Sequence, residues 1–509
     1  MTEHIDVRKG VYYDSVTLLR ITQAARIADG VTDAQVAMAT ELNIDLARAM
    51  GFEVPEGTTA NDLLITLRGA DQEAIDRGIA AFEAALAEAA AAGRAAGGLG
   101  SGPAPQTVRS AVNARPDASL VLLSVPGDNV LAEAMDAIAA GRHVMVFSDN
   151  VPVDHEIAMK DAAAKAGVLV MGPDCGTAIV GGVGLGFANV LGEHDGDSVG
   201  VIAASGTGAQ HLTCLLDDAG VDISHVLGLG GRDLSQDVAG RSALQALQML
   251  GEDPETARIV IVSKPPHPEV AAKVTAAAEA LDKPVTMILL GQGQPNITEG
   301  VTTVLGELGR PVPTWQTWNA DTITGQAGAL RGLFSGGTLA DEAMLVAGAT
   351  LGDIRSNIPL RDDLALPGEA TGSAVPQLSG LGHVVVDLGD DEFTRGRPHP
   401  MIDPSVKLDL IAAQAADPEV SVILLDVVLG HCAEPDPSAA LAPVIKDAIA
   451  SADRSLTVVV SLCGTAGDPQ DRDRQAQALA DAGAAVFASN AQAAATAAAI
   501  AAGTEGAAQ

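Results

Sequence analysis

The stretch Gly200–Leu212, GVIAASGTGAQHL, carries the reading of the fold. Apolar residues of a buried strand run into Ser-Gly-Thr-Gly and then into a helical pattern. A helix starting on such a loop aims several unpaired N–H groups, and its positive dipole end, at one spot. That spot suits an anion. No lysine follows the glycines, as one does in a nucleotide-binding P-loop. The loop therefore fits a phosphate or carboxylate held by backbone N–H groups of Gly206 and Gly208 and by the hydroxyls of Ser205 and Thr207. The alternative is a helix N-cap in which Ser205 bonds its own backbone.

Outward from this stretch the same pattern repeats. SLVLLSV, HVMVFS and GVLVMG alternate with helical segments from residue 118; SVGVIAA, VDISHVLGLGG, ARIVIVSK and PVTMILLG follow; GHVVVDLG, VSVILLDVVLG, LTVVVSLCG and AAVFAS make a third set. Fully apolar strands joined by helices imply parallel sheets covered on both faces. Before them, KGVYY, DAQVAMA and DLLITLRG suggest a small α/β module. The Ala-, Gly- and Pro-rich run near 92–106 reads as a linker. The expected fold class is thus α/β: a small N-terminal α/β module (1–92), a linker (93–115) and a Rossmann-like domain (116–195). A flavodoxin-like domain (196–340), a long connection (341–380) and a second flavodoxin-like domain (381–505) complete it.

Composition narrows the function. Aromatics make up only 2% of the 509 residues, so the cores must be built from Val, Leu, Ile and Ala. A net charge of −35 opposes nucleic acid and anionic membranes as partners, while leaving room for a locally positive pocket. No apolar run approaches the length of a spanning helix, and MTEHIDVRKG lacks the apolar core of a signal peptide. The four cysteines, at 175, 214, 432 and 463, form no CxxC pair. A cytoplasmic protein without disulfides or a metal site is expected.

Ligands of such sheets gather at the carboxyl ends of the strands. That rule selects seven segments: Gly172–Thr177, Ser205–Gly208, Gly230–Ser235, Lys264–His267, Asp387–Arg397, Gly430–Asp436 and Cys463–Asp468. In GPDCGTA, Asp174, Cys175 and Gly176 either line a backbone anion site or enclose a small buried thiol. Gly231 and Arg232 follow the next strand. Lys264, at a buried strand's tip, either meets an anion or sits on a solvated rim. Arg395 and Arg397, among the carboxylates that follow Asp387, either fork a carboxylate substrate or form a salt-bridged loop. His431 is a candidate general base or an ordinary loop histidine. Gly464 and Thr465 occupy the tip of the strand LTVVVSLC.

The strings GPDCGTAI…GVGLGFAN, ASGTGAQ, GLGGRDLS, FSGGTLADEA and DLGDDEFTRGRPHPMIDP resemble the FdrA family of acyl-CoA synthetase-like proteins, over about residues 8 to 500. More distantly, residues 116–295 resemble the α subunit of succinyl-CoA synthetase and 380–505 the last domain of its β subunit. The resemblance implies a Rossmann-like, CoA-binding-type domain and two flavodoxin-like ligase-type domains. Two departures bear on chemistry. The synthetase's phosphorylated histidine has no counterpart in GQGQPNITEG, and its supporting glutamate is replaced by Lys264. Losing a carboxylate and gaining an ammonium favours a free anion there. No segment matches the nucleotide-grasp domain. The family resemblance implies one subunit of an oxamate carbamoyltransferase of allantoin catabolism, converting oxalurate plus phosphate into oxamate plus carbamoyl phosphate. Ser205–Gly208 with Lys264 would hold the phosphoryl group, and Arg395 and Arg397 the oxamate carboxylate or a partner. No cofactor is required on this reading. The alternatives are a CoA-dependent acyltransferase or ligase, with CoA in the 116–195 domain, and a non-catalytic scaffold that completes a partner's active site.

Overall fold

The computed structural model describes residues 2–11, 13, 15–40, 43–44, 47–48, 50–95, 105–320, 325–371, 376–394 and 398–504. Arg395 and Arg397 lie outside the described residues. The chain divides into two compact units: residues 1–117 with 124–129 and 395–398, and the remainder.

In the first unit, β1 (Thr2–Lys9), β2 (Val31–Met38) and β3 (Asp62–Gly69) form an antiparallel sheet in the order β1–β3–β2. Helices α1 (Ser15–Arg26) and α2 (Gln72–Ala95) supply Leu18, Ile21, Ile75 and Phe82 to its core, against Val36, Leu63, Ile65 and Leu67. The first strand was expected at KGVYY but ends at Lys9. TEHIDVRK offers only Ile5 and Val7 as apolar alternation, so its strand signal is weak. Part of the expected linker is helical: α3 (Val108–Ala114) starts on a capping box made by Thr107 and Ser110.

The second unit holds three sheets. The first is parallel, β4 (Leu120–Leu123), β5 (His143–Val146) and β6 (Val170–Met171), with α4 (Gly127–Ala139) and α5 (Val153–Ala166) as crossovers. The second runs β12–β11–β9–β10–β7–β8. It comprises the hairpin β7 (Thr177–Val180) and β8 (Val183–Gly186), then the parallel strands β9 (Val199–Ala203), β10 (Ile223–Gly228), β11 (Arg258–Ser263) and β12 (Val285–Leu289). Its helices are α6 (Gly206–Asp218), α7 (Arg241–Glu252), α8 (Pro268–Glu279) and α9 (Ile297–Glu307). The third sheet runs β13–β18–β17–β16–β14–β15. Its strands are β13 (Thr317–Trp318), β14 (Ala329–Phe334), β15 (Val384–Asp387), β16 (Val420–Val428), β17 (Thr457–Cys463) and β18 (Ala485–Phe487), all parallel except β13. Helices α10 (Gly337–Leu351), α11 (Ser405–Ala416), α12 (Pro437–Ser451), α13 (Arg472–Asp481) and α14 (Asn490–Ala501) cover it.

Two expected boundaries move. The β7–β8 hairpin leaves the 116–195 domain and pairs with β10 of the next sheet. The boundary at 340 falls inside α10, and β14 and α10 belong to the third sheet rather than to the second domain or to a connection. The strand ALRGLF hides from a hydropathy reading because it contains Arg331. That guanidinium is wholly buried: Nε donates to Gln414 Oε1 (2.9 Å), Nη2 donates to Leu378 O (3.1 Å), and Asp417 stands 3.6 Å away.

Small residues let the helices approach closely. Ala343 and Ala347 of α10 share a core with Ala493, Ala494, Ala497 and Ala498 of α14, which accounts for a dense interior with few aromatic rings. A polar seam joins the second and third sheets. Gln210 Nε2 donates to Phe187 O (2.6 Å) and Leu429 O (3.1 Å), and Asn189 Nδ2 donates to Asp468 Oδ2 (2.7 Å). Among the described residues no helix is long and apolar enough to cross a membrane.

Candidate functional site

The seam brings two helix N-termini face to face. α6 begins after β9 at Ser205, whose Oγ accepts from Gly208 N (3.1 Å); the expected N-cap is therefore present. α10 begins after β14 at Gly336 with no side-chain cap. The two starts touch: a Cβ on Gly336 would lie 2.4 Å from Thr207 Cγ2 and Oγ1, and one on Gly208 would lie 2.8 Å from Thr338 Cγ2. Only glycine at both positions allows this approach. The first N–H groups of each helix have no carbonyl partner within it, so two positive helix ends converge on one region. Ser205 and Gly206 are partly exposed there, whereas Thr207 and Gly208 are buried.

Two further polar groups point to an absent partner. Thr177 Oγ1, 3.7 Å from the point where a Cβ would sit on Gly206, and Thr338 Oγ1 at the start of α10 are both buried without a hydrogen bond. Buried hydroxyls are nearly always satisfied, and an uncapped helix start is completed by water or by a ligand.

The strand tips that follow β6, β10, β11 and β15 border this region. Lys264 is exposed, with its Nζ 3.7 Å from the Cβ point of Gly231; Asp174 Oδ2 is 3.9 Å from the same point. Asp341 of α10 is buried, and burial pushes its carboxyl up to about 7 against the pull of Lys264. Asp387 is raised further, to about 8, by burial and by Asp390 and Asp426, again opposed by Lys264. Its Oδ2 lies 3.0 Å from the Cβ point of Gly337, the first residue of α10. An ammonium, two helix ends and two carboxyls that hold protons near neutral pH make a site able to bind an oxyanion and donate hydrogen bonds to it.

Two buried ion clusters hold these tips in place. Lys407 Nζ donates to Asp426 Oδ1 (2.6 Å) and Ser335 Oγ (2.7 Å), while Asp426 accepts from Ser335 N (2.8 Å), which fixes the residue before Gly336. Lys160 Nζ donates to Glu156 Oε1 (2.7 Å), Asp233 Oδ1 (2.7 Å) and Leu229 O (3.2 Å), clamping the loop after β10. Arg232 belongs to this clamp, donating to Val151 O (2.8 Å) and pairing with Glu156 Oε2 (3.0 Å). Gly230, at φ +81° and with a Cβ point 2.0 Å from Pro173 O, admits no side chain.

Other expected residues do structural work. Cys175 is buried and its thiol is pushed up to about 12, with Sγ donating to Thr177 O (3.5 Å), which makes it an inert packing group. Gly176 packs on Phe187 and borders Gly206. Gly464 packs on Leu429, and Thr465 is a buried turn residue whose N–H donates to Asp468 Oδ2 (2.8 Å) in the seam. His431, expected as a base, is exposed against Gly184 of β8 and acts electrostatically on Asp468, so it also belongs with the seam. Sequence reasoning missed the second helix start, although SGGTLADEA after a strand repeats the SGTGAQHL pattern. A surface depression of about 390 Å³ beside Ser379, Gly380, Asp417 and Glu419 lies at the amino-terminal edge of the third sheet, away from these tips.

Residues 333–500 match the family described as CoA-ligase, and residues 1–100 match the AllF heavy metal-associated domain. The uncharacterized protein YahF of Escherichia coli (strain K12) is 35% identical over 96% of this chain and 97% of its own length. Subunit alpha 2 of the ADP-forming succinate–CoA ligase of Archaeoglobus fulgidus is 29% identical over 38% of this chain and 66% of its own length. Among solved structures, PH0766 from Pyrococcus horikoshii OT3 aligns at 13% identity over 81% of this chain and 89% of its own, with a TM-score of 0.28. The metal named for the first domain finds no fit. Residues 1–100 contain no cysteine, and among the described residues no group of three His, Cys, Asp or Glu side chains could hold a metal ion.

Proposed function

From a chain that belongs to the same family as YahF, we propose one subunit of a phosphate-dependent carbamoyltransferase of the FdrA type, working in the cytoplasm in allantoin catabolism. It interconverts oxalurate plus phosphate with oxamate plus carbamoyl phosphate, in a hetero-oligomer with other carbamoyltransferase subunits. The supporting observation is the pair of facing helix starts, one without a cap, flanked by two orphaned buried threonine hydroxyls and by Lys264. On this reading the phosphoryl group sits between the ends of α6 and α10, with Lys264 at its edge. Stabilisation of charge on the displaced carbonyl oxygen and on phosphate supplies the rate, without a covalent intermediate. The absence of a histidine from GQGQPNITEG favours direct transfer, and no CoA is required. The AllF description of the first domain supports the allantoin assignment.

A second reading, CoA-dependent acyl transfer, is favoured by the CoA-ligase match and by the succinate–CoA ligase relatives. Isothermal titration of the full chain with carbamoyl phosphate, phosphate and CoA separates the two. Carbamoyl phosphate binding that weakens about tenfold or more in Lys264→Ala supports the first, since a hydrogen bond to a charged group contributes ~1.5–3 kcal/mol. CoA binding with no response to carbamoyl phosphate overturns it.

A further inference from the structure

Gly231, in the loop after β10, faces a small opening lined by opposite charges. The position a Cβ would take on it is 3.7 Å from Lys264 Nζ and 3.9 Å from Asp174 Oδ2. Apart from its own chain neighbours, no other heavy atom among the described residues lies within 4 Å of that point. The opening reaches solvent, since Lys264 and Asp174 are exposed and Gly231 is half-buried.

The walls of the opening are held in place. Asp174 N donates to Ser148 O (3.0 Å) and Cys175 N donates to Val146 O (3.0 Å), which pins the turn Gly172–Thr177 to the end of β5. Asp174 itself sits at φ +57°, a left-handed conformation that aspartate, asparagine and glycine tolerate best. The Gly231 side is fixed by the close approach of Gly230 to Pro173 O and by the Lys160 clamp on Leu229 and Asp233. The opening also adjoins the two helix starts. Three residues beyond Asp174, Thr177 Oγ1 stands beside Gly206, and the charge of Lys264 acts on Asp341 of α10 and on Asp387.

A donor and an acceptor on either side of one opening select a group that presents both. A primary amide does so: its oxygen accepts from an ammonium and its N–H donates to a carboxylate. A carboxylate in the same place would set an oxygen against Asp174, and an acetyl group would leave Asp174 facing a methyl. Resting on the carbamoyl-transfer reading above, we propose that the opening at Gly231 is the carbamoyl subsite. Lys264 Nζ donates to the carbamoyl oxygen and Asp174 Oδ2 accepts from the carbamoyl nitrogen. Lys264 thereby serves the edge of the phosphoryl group and the carbonyl beside it, and Asp174 sets the preference for carbamoyl over acyl groups of the same size.

The test is isothermal titration of the full chain with phosphate, acetyl phosphate and freshly prepared carbamoyl phosphate. Acetyl phosphate puts a methyl group where the amide nitrogen was and keeps the rest. The wild type is expected to bind carbamoyl phosphate about tenfold or more tightly than acetyl phosphate, the difference made by a hydrogen bond to a charged group. Asp174→Gly keeps the left-handed turn without strain. It is expected to bring that ratio near one and to leave phosphate affinity near wild type. Gly231→Ala adds a methyl at ordinary contact distance, and its φ lies outside the left-handed region, so the melting temperature is expected to hold. This variant is expected to weaken carbamoyl phosphate about tenfold while phosphate binding stays near wild type. A wild type that binds phosphate without preferring carbamoyl to acetyl phosphate overturns the subsite alone. So does an unchanged ratio in Asp174→Gly, or an equal loss of phosphate and carbamoyl phosphate in Gly231→Ala. No wild-type binding of either phosphate or carbamoyl phosphate overturns the parent reading. Should Asp174→Gly fail to fold, Gly231→Ala and the wild-type ratio still decide.

Discussion

Gly336→Ala tests the geometry of the two facing helix starts most directly. Gly336 has φ −157° and ψ 138°, an extended conformation that alanine adopts freely, so the substitution acts only through its methyl group. That methyl would lie 2.4 Å from Thr207 Cγ2 and Oγ1 and 2.9 Å from Thr207 Cβ. Turning the Thr207 side chain cannot clear the Cβ collision. Ordinary carbon contacts are ~3.5–4.0 Å, so α6 and α10 must part by roughly 1 Å. Overpacking of this kind costs about 1–3 kcal/mol and lowers Tm by a few degrees. A helix N–H at ~2.9 Å from an anion oxygen would move out of hydrogen-bond range. Losing one such bond, at ~1.5–3 kcal/mol, weakens carbamoyl phosphate about 10- to 150-fold. The control is Gly348→Ala in the same helix, where the new methyl meets nothing within 4 Å. It is expected to raise Tm slightly, by the ~0.5–1 kcal/mol that separates glycine from alanine in a helix, and to leave binding alone. The exchange Thr207→Gly with Gly336→Ala removes the collision and should restore the helix spacing, with affinity returning only in part because the Thr207 hydroxyl is lost. Scanning calorimetry and isothermal titration read the two effects separately. A lower Tm with unchanged affinity for carbamoyl phosphate and phosphate would refute the placement of the anion between the helices.

Three other outcomes are expected. Lys407→Met leaves Asp426 buried without its ion pair and should cost about 3–5 kcal/mol in urea unfolding, while Lys407→Met with Asp426→Asn costs less than the two single changes added; strict additivity would remove the pair from the account of Ser335. Only Cys432 of the four cysteines is exposed, so native protein should give one fast equivalent with a thiol reagent and the other three on unfolding; fast loss of Cys175 would contradict its burial. Burial raises Glu342 to about 7 in the folded chain, so the folded state binds the extra proton between its unfolded range and pH 7 and stability falls as pH rises through that window. Glu342→Gln should flatten the decline by an amount on the order of 3 kcal/mol, and an unaltered slope of urea midpoint against pH would count against a protonated Glu342.

The parts of the fold legible in sequence are those where hydropathy and geometry coincide. β9, β16 and β17 are apolar along most of their length and buried throughout, and each was expected where it occurs. β14 was not, because the buried Arg331 breaks its pattern, and the cost of burying that charge is offset by partners from residues 378–417 that no local window contains. The β7–β8 hairpin went to the wrong sheet because strand pairing is a tertiary choice. The candidate site shows the same division. Ser205–Gly208 and Lys264 could be picked out because each sits at the tip of a strand. The strand-tip rule is blind to which tips face one another, so His431, Gly464 and Thr465 were grouped with the site although they serve the seam. Thr177 and Asp341 stand out only once their burial is known, since neither residue type is unusual in sequence.

The two six-stranded sheets use one local device twice, and the difference between the copies carries the chemical argument. In each, a buried strand runs into a Ser-Gly turn and a helix: Ala203 to Gly206 in one, Phe334 to Gly337 in the other. In the first copy Ser205 turns its hydroxyl back onto Gly208 and caps its own helix. In the second, Ser335 sits one residue too early to cap and is instead bound by Asp426 and Lys407. Its hydroxyl is spent on rigidity, and the start of α10 is left open. A self-capped helix needs no outside acceptor, whereas the open start of α10, with Gly336 and Gly337 partly exposed and Thr338 buried, leaves its first N–H groups to solvent or to a ligand. On the proposed reading, the second copy is therefore the one whose stability responds to an anion, with α6 completing its surroundings. Stabilisation by saturating phosphate should accordingly be lost when Ser335 is freed from its clamp by Lys407→Met, even under conditions where that variant remains folded.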